Sequence, residues 1–240
     1  MLIRLYATIV GHMTPTMVQL ERVGMQYAPQ RFALQDVSLH LRKGEFAYVT
    51  GGNGAGKTTL LKLLFAMEKI TNGRVIVNNK DISHLPKSKV FQYRRDLGFV
   101  FQDFKLLPDL TVYENVASPL EIRKMTQSEV DYRVKGVLNL VGLVDRAKDL
   151  PTSLSGGEQQ RIAIARSIIG KPSLLLADEP TGNLDSTTAR EIMSLFLEIN
   201  EMGTTVLIAT HDETLMEEFP ARVIRLERGH IVNDEERGHA

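Results

Sequence analysis

The chain is 240 residues long, 43% apolar, with 29 basic residues set against 29 acidic ones and no cysteine or tryptophan. That length and apolar fraction suit one large or two small domains with a substantial core, and a formal net charge of +0 gives no general pull toward nucleic acid or anionic lipid. Without cysteine there is no disulfide, thiolate metal site or cysteine nucleophile; the apolar runs fall short of the roughly 20 residues that a spanning helix needs, so the composition predicts a soluble globular protein of a reducing interior.

In chain order, residues 1–16 stand apart. Arg4 and a short apolar stretch give them a faint likeness to a signal peptide, but polar residues interrupt the stretch and no small-residue cleavage site follows. They are expected to be a poorly ordered or non-native extension, with Met17 as the alternative start. Residues 18–23 alternate in polarity, as do 37–41, so both predict strands. After a turn at 43–45, residues 46–50 read as a buried strand. A glycine-rich loop follows, then apolar residues at helical spacing over 58–67, a turn at Asn72-Gly73, and a strand over 74–77. The stretch 106–150 reads as a mostly helical insertion. Within it Thr126 and Glu129 form a capping box, and Val130, Val134, Val137, Leu138, Leu140 and Val141 supply an apolar stripe. Residues 174–177 and 206–209 are bare apolar runs, the mark of parallel strands covered on both faces. A helix over 187–200 joins them as a βαβ unit.

Gly51-Gly52-Asn53-Gly54-Ala55-Gly56-Lys57-Thr58 fits the pattern G-x-x-x-x-G-K-[ST] between a predicted strand and a predicted helix. Glycines let the backbone wrap closely around phosphates and turn its N–H groups inward, and the helix start adds the positive end of its dipole. Lys57 can neutralise β- and γ-phosphate charge, and the Thr58 hydroxyl can ligate Mg²⁺. Thr59 continues the same turn. These residues predict a nucleoside-triphosphate site. Asp178 and Glu179 end the strand over 174–177, where one acid can hold Mg²⁺ through water and the next can orient an attacking water. In Leu154-Ser155-Gly156-Gly157-Glu158, small residues open a second helix and so make a second anion site.

With these motifs in place, residues 17 to about 232 closely resemble the ATP-binding cassette (ABC) ATPases. The resemblance implies an α/β fold: a P-loop core of RecA type, an N-terminal antiparallel β subdomain, and a helical subdomain at about 103–165 within a domain spanning 17–234, with 235–240 as a tail. It also implies a homodimer packed head to tail, each ATP lying between the phosphate loop of one subunit and Ser155, Gly156 and Gly157 of the other. Carried over position by position, Tyr27 would stack on adenine. Gln102 would reach Mg²⁺ and the attacking water, and Asp185 would communicate across the dimer. His211 would contact the γ-phosphate, beside Glu179 as the base and Lys57. Asn53 departs from the serine frequent in the family, and Glu158 from its glutamine. The stretch 179–185 resembles a branch that includes cell-division, lipoprotein-releasing and export cassettes, and within it 101–107 and 111–116 are most similar to the cell-division type. That branch implies an integral membrane partner and no nucleic acid. The partner is expected to dock near 102–112, where Phe104, Leu106, Leu107 and Leu110 are apolar.

Overall fold

In the computed structural model, residues 15–28, 31–123 and 125–235 are described. Of the expected extension, residues 1–14 lie outside the described residues, as do 236–240 of the expected tail; strand β1 (Thr16–Ala28) is already under way at Thr16. The chain continues through β2 (Arg31–Arg42), β3 (Phe46–Thr50), α1 (Lys57–Leu64), β4 (Asn72–Val77) and β5 (Lys80–Asp81). Next come α2 (Lys87–Arg94), β6 (Leu97–Val100), α3 (Val112–Glu121), α4 (Gln127–Leu140) and α5 (Gly156–Ile168). The last part holds β7 (Leu174–Asp178), α6 (Ser186–Glu201), β8 (Thr205–Ala209), α7 (Glu213–Glu218), β9 (Arg222–Glu227) and β10 (His230–Glu235).

Two sheets result. One is antiparallel, in the order β2-β1-β4-β5; the other runs β10-β9-β3-β8-β7-β6, parallel except for the antiparallel β10. Alternation along the central strands divides the apolar side chains between two layers. Tyr48, Leu175, Ala177, Val206 and Ile208 face the helical side, whereas Ala47, Val49, Leu174, Leu176 and Leu207 face α1 and the antiparallel sheet. Burial on both faces is the reason these strands read as unbroken apolar runs. The helical layer is continuous with the insertion: Val116, Leu120, Val130, Val134 and Leu138 join Ile162 and Phe196 in one cluster.

Two expectations change. Asn72 and Gly73 belong to strand β4 rather than to a turn before it. Gly24 on β1 leaves room for the Asn72 side chain, whose Nδ2 donates to the Arg22 carbonyl at 3.1 Å. Helix α1 ends at Leu64, not at 67, because Ala66 turns left-handed at φ 55°. Side chains near the end of α2 take its last carbonyls: Tyr93 donates to Leu64, and Arg94 to Phe65 and Ala66. Three capping boxes start α3, α4 and α5, at Thr111–Glu114, Thr126–Glu129 and Ser155–Glu158.

Candidate functional site

The parallel sheet brings three strand ends to one level. Val49 on β3 and Asp178 on β7 are both in register with Ala209 on β8. The residues that follow stay tied together, since Glu179 N–H donates to Ala209 O at 2.8 Å and Thr210 N–H to Val49 O at 3.1 Å. The glycine-rich loop, the paired acids and His211 thus leave the sheet side by side, at the carboxyl edge where open α/β sheets bind ligands.

The loop's glycines are required by what surrounds them. Gly51 has φ 141° and a Cβ there would strike the Leu226 carbonyl; at Gly56, with φ 110°, it would meet Ala33 O at 2.6 Å. No side chain caps α1, so the first N–H groups of that helix keep their donors for a ligand. Lys57 is buried, its Nζ donating to Gly51 O at 2.8 Å and lying 3.5 Å from Glu179. The ammonium therefore sits inside the curl of the loop, where it can meet phosphate oxygens.

Thr58 Oγ1 donates to Asp178 Oδ1 at 2.9 Å. Burial pushes the Asp178 carboxyl above its ordinary range, Glu179 adds to the rise, and the Thr58 hydrogen bond opposes it. A buried carboxylate next to a hydroxyl suits Mg²⁺, which would complete its shell with phosphate oxygens and water. Among the described residues no group of three or more His, Cys, Asp or Glu is placed to hold a metal ion by itself.

Glu179 has φ 46°, a left-handed conformation that a non-glycine residue adopts only when its surroundings impose it. Both its carboxylate oxygens lie 2.9–3.0 Å from His211 Nδ1. An ionised carboxylate only accepts, so Nδ1 carries the proton and Nε2 is left as the second contact of the ring. A cavity of ≈ 360 Å³ is lined by Tyr27, residues 52–59, Gln102, Glu179 and His211, a volume suited to a small-molecule ligand. The hydroxyl of Tyr27 lies 3.3 Å from that of Thr59, and the side chain is 48% exposed, so the ring remains accessible for stacking. Arg31, Phe32 and Ala33 line the same cavity from β2 and were missed in the sequence. Phe32 is 53% exposed, and no local sequence pattern marks it.

Ser155, Gly156, Gly157 and Asp185 do not line this cavity. Ser155 caps α5, donating to and accepting from Glu158, whose carboxyl is held low by the Ser155 N–H and hydroxyl. Asp185 caps α6 by accepting from Thr187 N–H, Thr188 N–H and the Thr188 hydroxyl. The two helix starts are neighbours, since a Cβ on Gly157 would come within 2.5 Å of Thr188 Cγ2. Ser155 and Gly156 are exposed. The predicted site residues therefore fall on two separate surfaces, and at the second the Ser155 N–H and hydroxyl are taken up by the Glu158 carboxylate.

A groove of ≈ 380 Å³ opens on another side, with Phe91, Phe99, Phe101 and Ile122 in its wall. Arg94, Arg95, Arg123 and Arg166 also line it, and each has hydrogen bonds to main-chain carbonyls. From the stretch expected to dock a partner only Lys105 reaches the groove; Phe104, Leu106, Leu107 and Leu110 do not line it, and Phe104 and Leu106 pack against the core. No helix among the described residues is long and apolar enough to cross a membrane.

Comparison with known proteins adds three findings. The family model described as ABC transporter matches residues 34–182. The chain is 46% identical over 222 residues to the cell division ATP-binding protein FtsE of Bacillus subtilis (strain 168), covering 92% of this chain and 97% of that one. It is likewise 46% identical over 215 residues to FtsE of Escherichia coli (strain K12), covering 90% and 97%. Among solved structures it resembles the dimeric bacterial ABC transporter cassette MJ0796, with TM-score 0.84, 38% identity, and coverage of 93% of this chain and 100% of that one. A dimeric post-hydrolysis state of the same cassette, bound to ADP and Pi, matches equally.

Proposed function

The chain belongs to the ABC transporter family and is an ABC-type ATPase, and from that premise we propose that it is the ATP-hydrolysing subunit of an FtsE-type cell-division complex. Its membrane partner is then FtsX or an analogous permease. ATP binding and hydrolysis at the cytoplasmic face bias the conformation of that partner, which regulates cell-wall hydrolases on the far side. The protein is peripheral, held to the membrane through its partner. The arginine-lined aromatic groove supports a docking role, and nucleic acid has no part in the reading. Identity of 46% to FtsE proteins over almost their full length supports the division branch.

The observation that carries the reading is the division of the site residues between two surfaces. Residues 52–59 with Glu179 and His211 gather at one cavity, while Ser155, Gly156, Gly157 and Asp185 gather at another place. A second copy packed head to tail joins the first surface to the second, so the unit is a homodimer with two composite sites. Tyr27 stacks on adenine. The loop N–H groups, Lys57 and the partner copy's Ser155 and Gly157 surround the phosphates. Thr58, Asp178 and Gln102 would hold Mg²⁺, which would supply positive charge against the β- and γ-phosphates. Glu179 orients the attacking water for in-line displacement at the γ-phosphate. His211 donates to Glu179 through Nδ1, and its Nε2 must carry a proton as well to donate to the phosphate. Most of the catalysis is charge stabilisation, as expected for phosphoryl transfer.

The test is Glu179→Gln in the full chain. With MgATP it should accumulate as an ATP-bound dimer by light scattering, hydrolyse at least about a hundredfold more slowly than wild type, and co-purify with a membrane protein. Hydrolysis at the wild-type rate would remove Glu179 from the mechanism. Depletion of the protein decides the branch: undivided filaments support the division role, whereas mislocalised lipoproteins with normal septa would favour a LolD- or MacB-like engine.

A further inference from the structure

Among the described residues one buried side-chain atom lacks any hydrogen-bond partner, Oε1 of Gln160 on α5. The residue is fully buried at 0% exposure, and its Nε2 donates to the Pro180 carbonyl at 2.7 Å. An orphaned amide oxygen costs the desolvation of its lone pairs, and a methionine of similar length would fill the same space without that cost. The amide is therefore explained by what its donor holds.

Pro180 directly follows Glu179, whose left-handed backbone must be imposed by its neighbours. On one side Glu179 N–H is bound to Ala209 O, and its own carbonyl accepts from Gly182 N–H at 3.2 Å. On the other side proline has no N–H to offer, so its carbonyl is the main-chain handle available there. Gln160 takes that handle. It does so from α5, the helix that opens with Ser155 and Gly157, five residues before Gln160 at the serine.

We propose that Gln160 is a positioning residue for hydrolysis, locking the Glu179–Pro180 backbone to the helix that carries the trans phosphate contact. A phosphate held at Ser155 of one copy is then transmitted within that copy to the carboxylate acting at its own loop. In this way one amide links the two composite sites. The inference rests on Glu179 being the group that orients water.

Steady-state ATPase kinetics on full-length variants, with melting curves, provide the test. Gln160→Met should lower kcat about tenfold or more with KM for ATP changed less than about twofold, and with a folded state as heat-resistant as wild type. Gln160→Glu can still donate to Pro180 O when its carboxyl is protonated and cannot when ionised. Its kcat should therefore approach wild type at low pH and fall as pH rises, a dependence absent from Gln160→Met. Unchanged kcat in Gln160→Met, or kcat and KM moving together in step with lost stability, overturns the proposal. Glu179→Gln run in parallel separates the two readings. If it hydrolyses normally, the role of Glu179 fails; if it is inactive while Gln160→Met is normal, only the role of Gln160 fails.

Discussion

Lys57 and Glu179 illustrate how single residues here are held ready by one another. The ammonium lies 2.8 Å from Gly51 O and 3.5 Å from the carboxylate, so incoming phosphate replaces contacts that already fix its direction. A purely structural pair behaves differently. Arg74 donates to Asp81 at 2.7 Å across β4 and β5, and with Ser83 it holds the Asp81 carboxyl at about 2. Because that value is below the ordinary carboxylate range of about 3.9, the unfolded chain takes up the proton first as pH falls. The pair's contribution is thus full above about pH 4 and is lost as pH drops toward 2. Both side chains are about half exposed, so solvent screening keeps the contribution small. Arg74→Gln should raise the Asp81 carboxyl toward its ordinary value in an NMR titration. No movement would mean that Ser83 alone sets it.

Helix starts do double service. The same capping geometry opens α3, α4 and α5, yet only Ser155 is proposed to touch nucleotide. Thr126→Ala and Ser155→Ala should each cost about 1 kcal/mol of stability through the lost cap, read by denaturant unfolding. Only Ser155→Ala should also reduce ATP hydrolysis; equal loss in both variants would assign Ser155 to capping alone. The box at Thr126 was legible in the sequence because serine or threonine three residues before glutamate is a local signal, one that also stands unread at Thr111 and Ser155. So were β3, β7 and β8, whose burial on both faces leaves apolar runs. Features set by distant pairing were not legible. Asn72 reads as a turn residue, but a glycine across the sheet makes room for it in a strand. Strands β9 and β10 carry no comparable local pattern, with β10 mostly exposed. Phe32 entered the cavity unforeseen because it is the fold of β1 and β2 over the loop that puts it there.

At the scale of the molecule, the two donor surfaces make a complementation experiment decisive. Lys57→Ala spoils a loop and Ser155→Ala spoils the surface offered to a partner, so each homodimer has two damaged sites. A mixed dimer has one site damaged twice and one site intact. Mixing the two variants in equal amounts should restore hydrolysis to at most about a quarter of wild type, since half of the dimers are mixed and each has one intact site, lowered by any coupling that Gln160 carries from the damaged one. No recovery on mixing, with exchange of subunits verified, would mean that each copy completes its own site. The apolar core supports this geometry, because one cluster runs from the sheet through α5 into the insertion and holds the second surface in a set relation to the first.

The phosphate loop is also braced from the far end of the chain. Only glycine fits at 51 beside Leu226 O, Gly229 N–H donates to Ala55 O at 3.0 Å, and β3 lies between β8 and β9. Residues 51–58 therefore have their final shape only after residues up to 229 have been made and packed. During synthesis the nascent chain displays a nucleotide motif early but acquires the corresponding affinity late, since such long-range closures form slowly. Unfinished or C-terminally clipped copies ending before β9 should leave the loop unsupported and so fail to sequester ATP or to enter dimers as inactive halves.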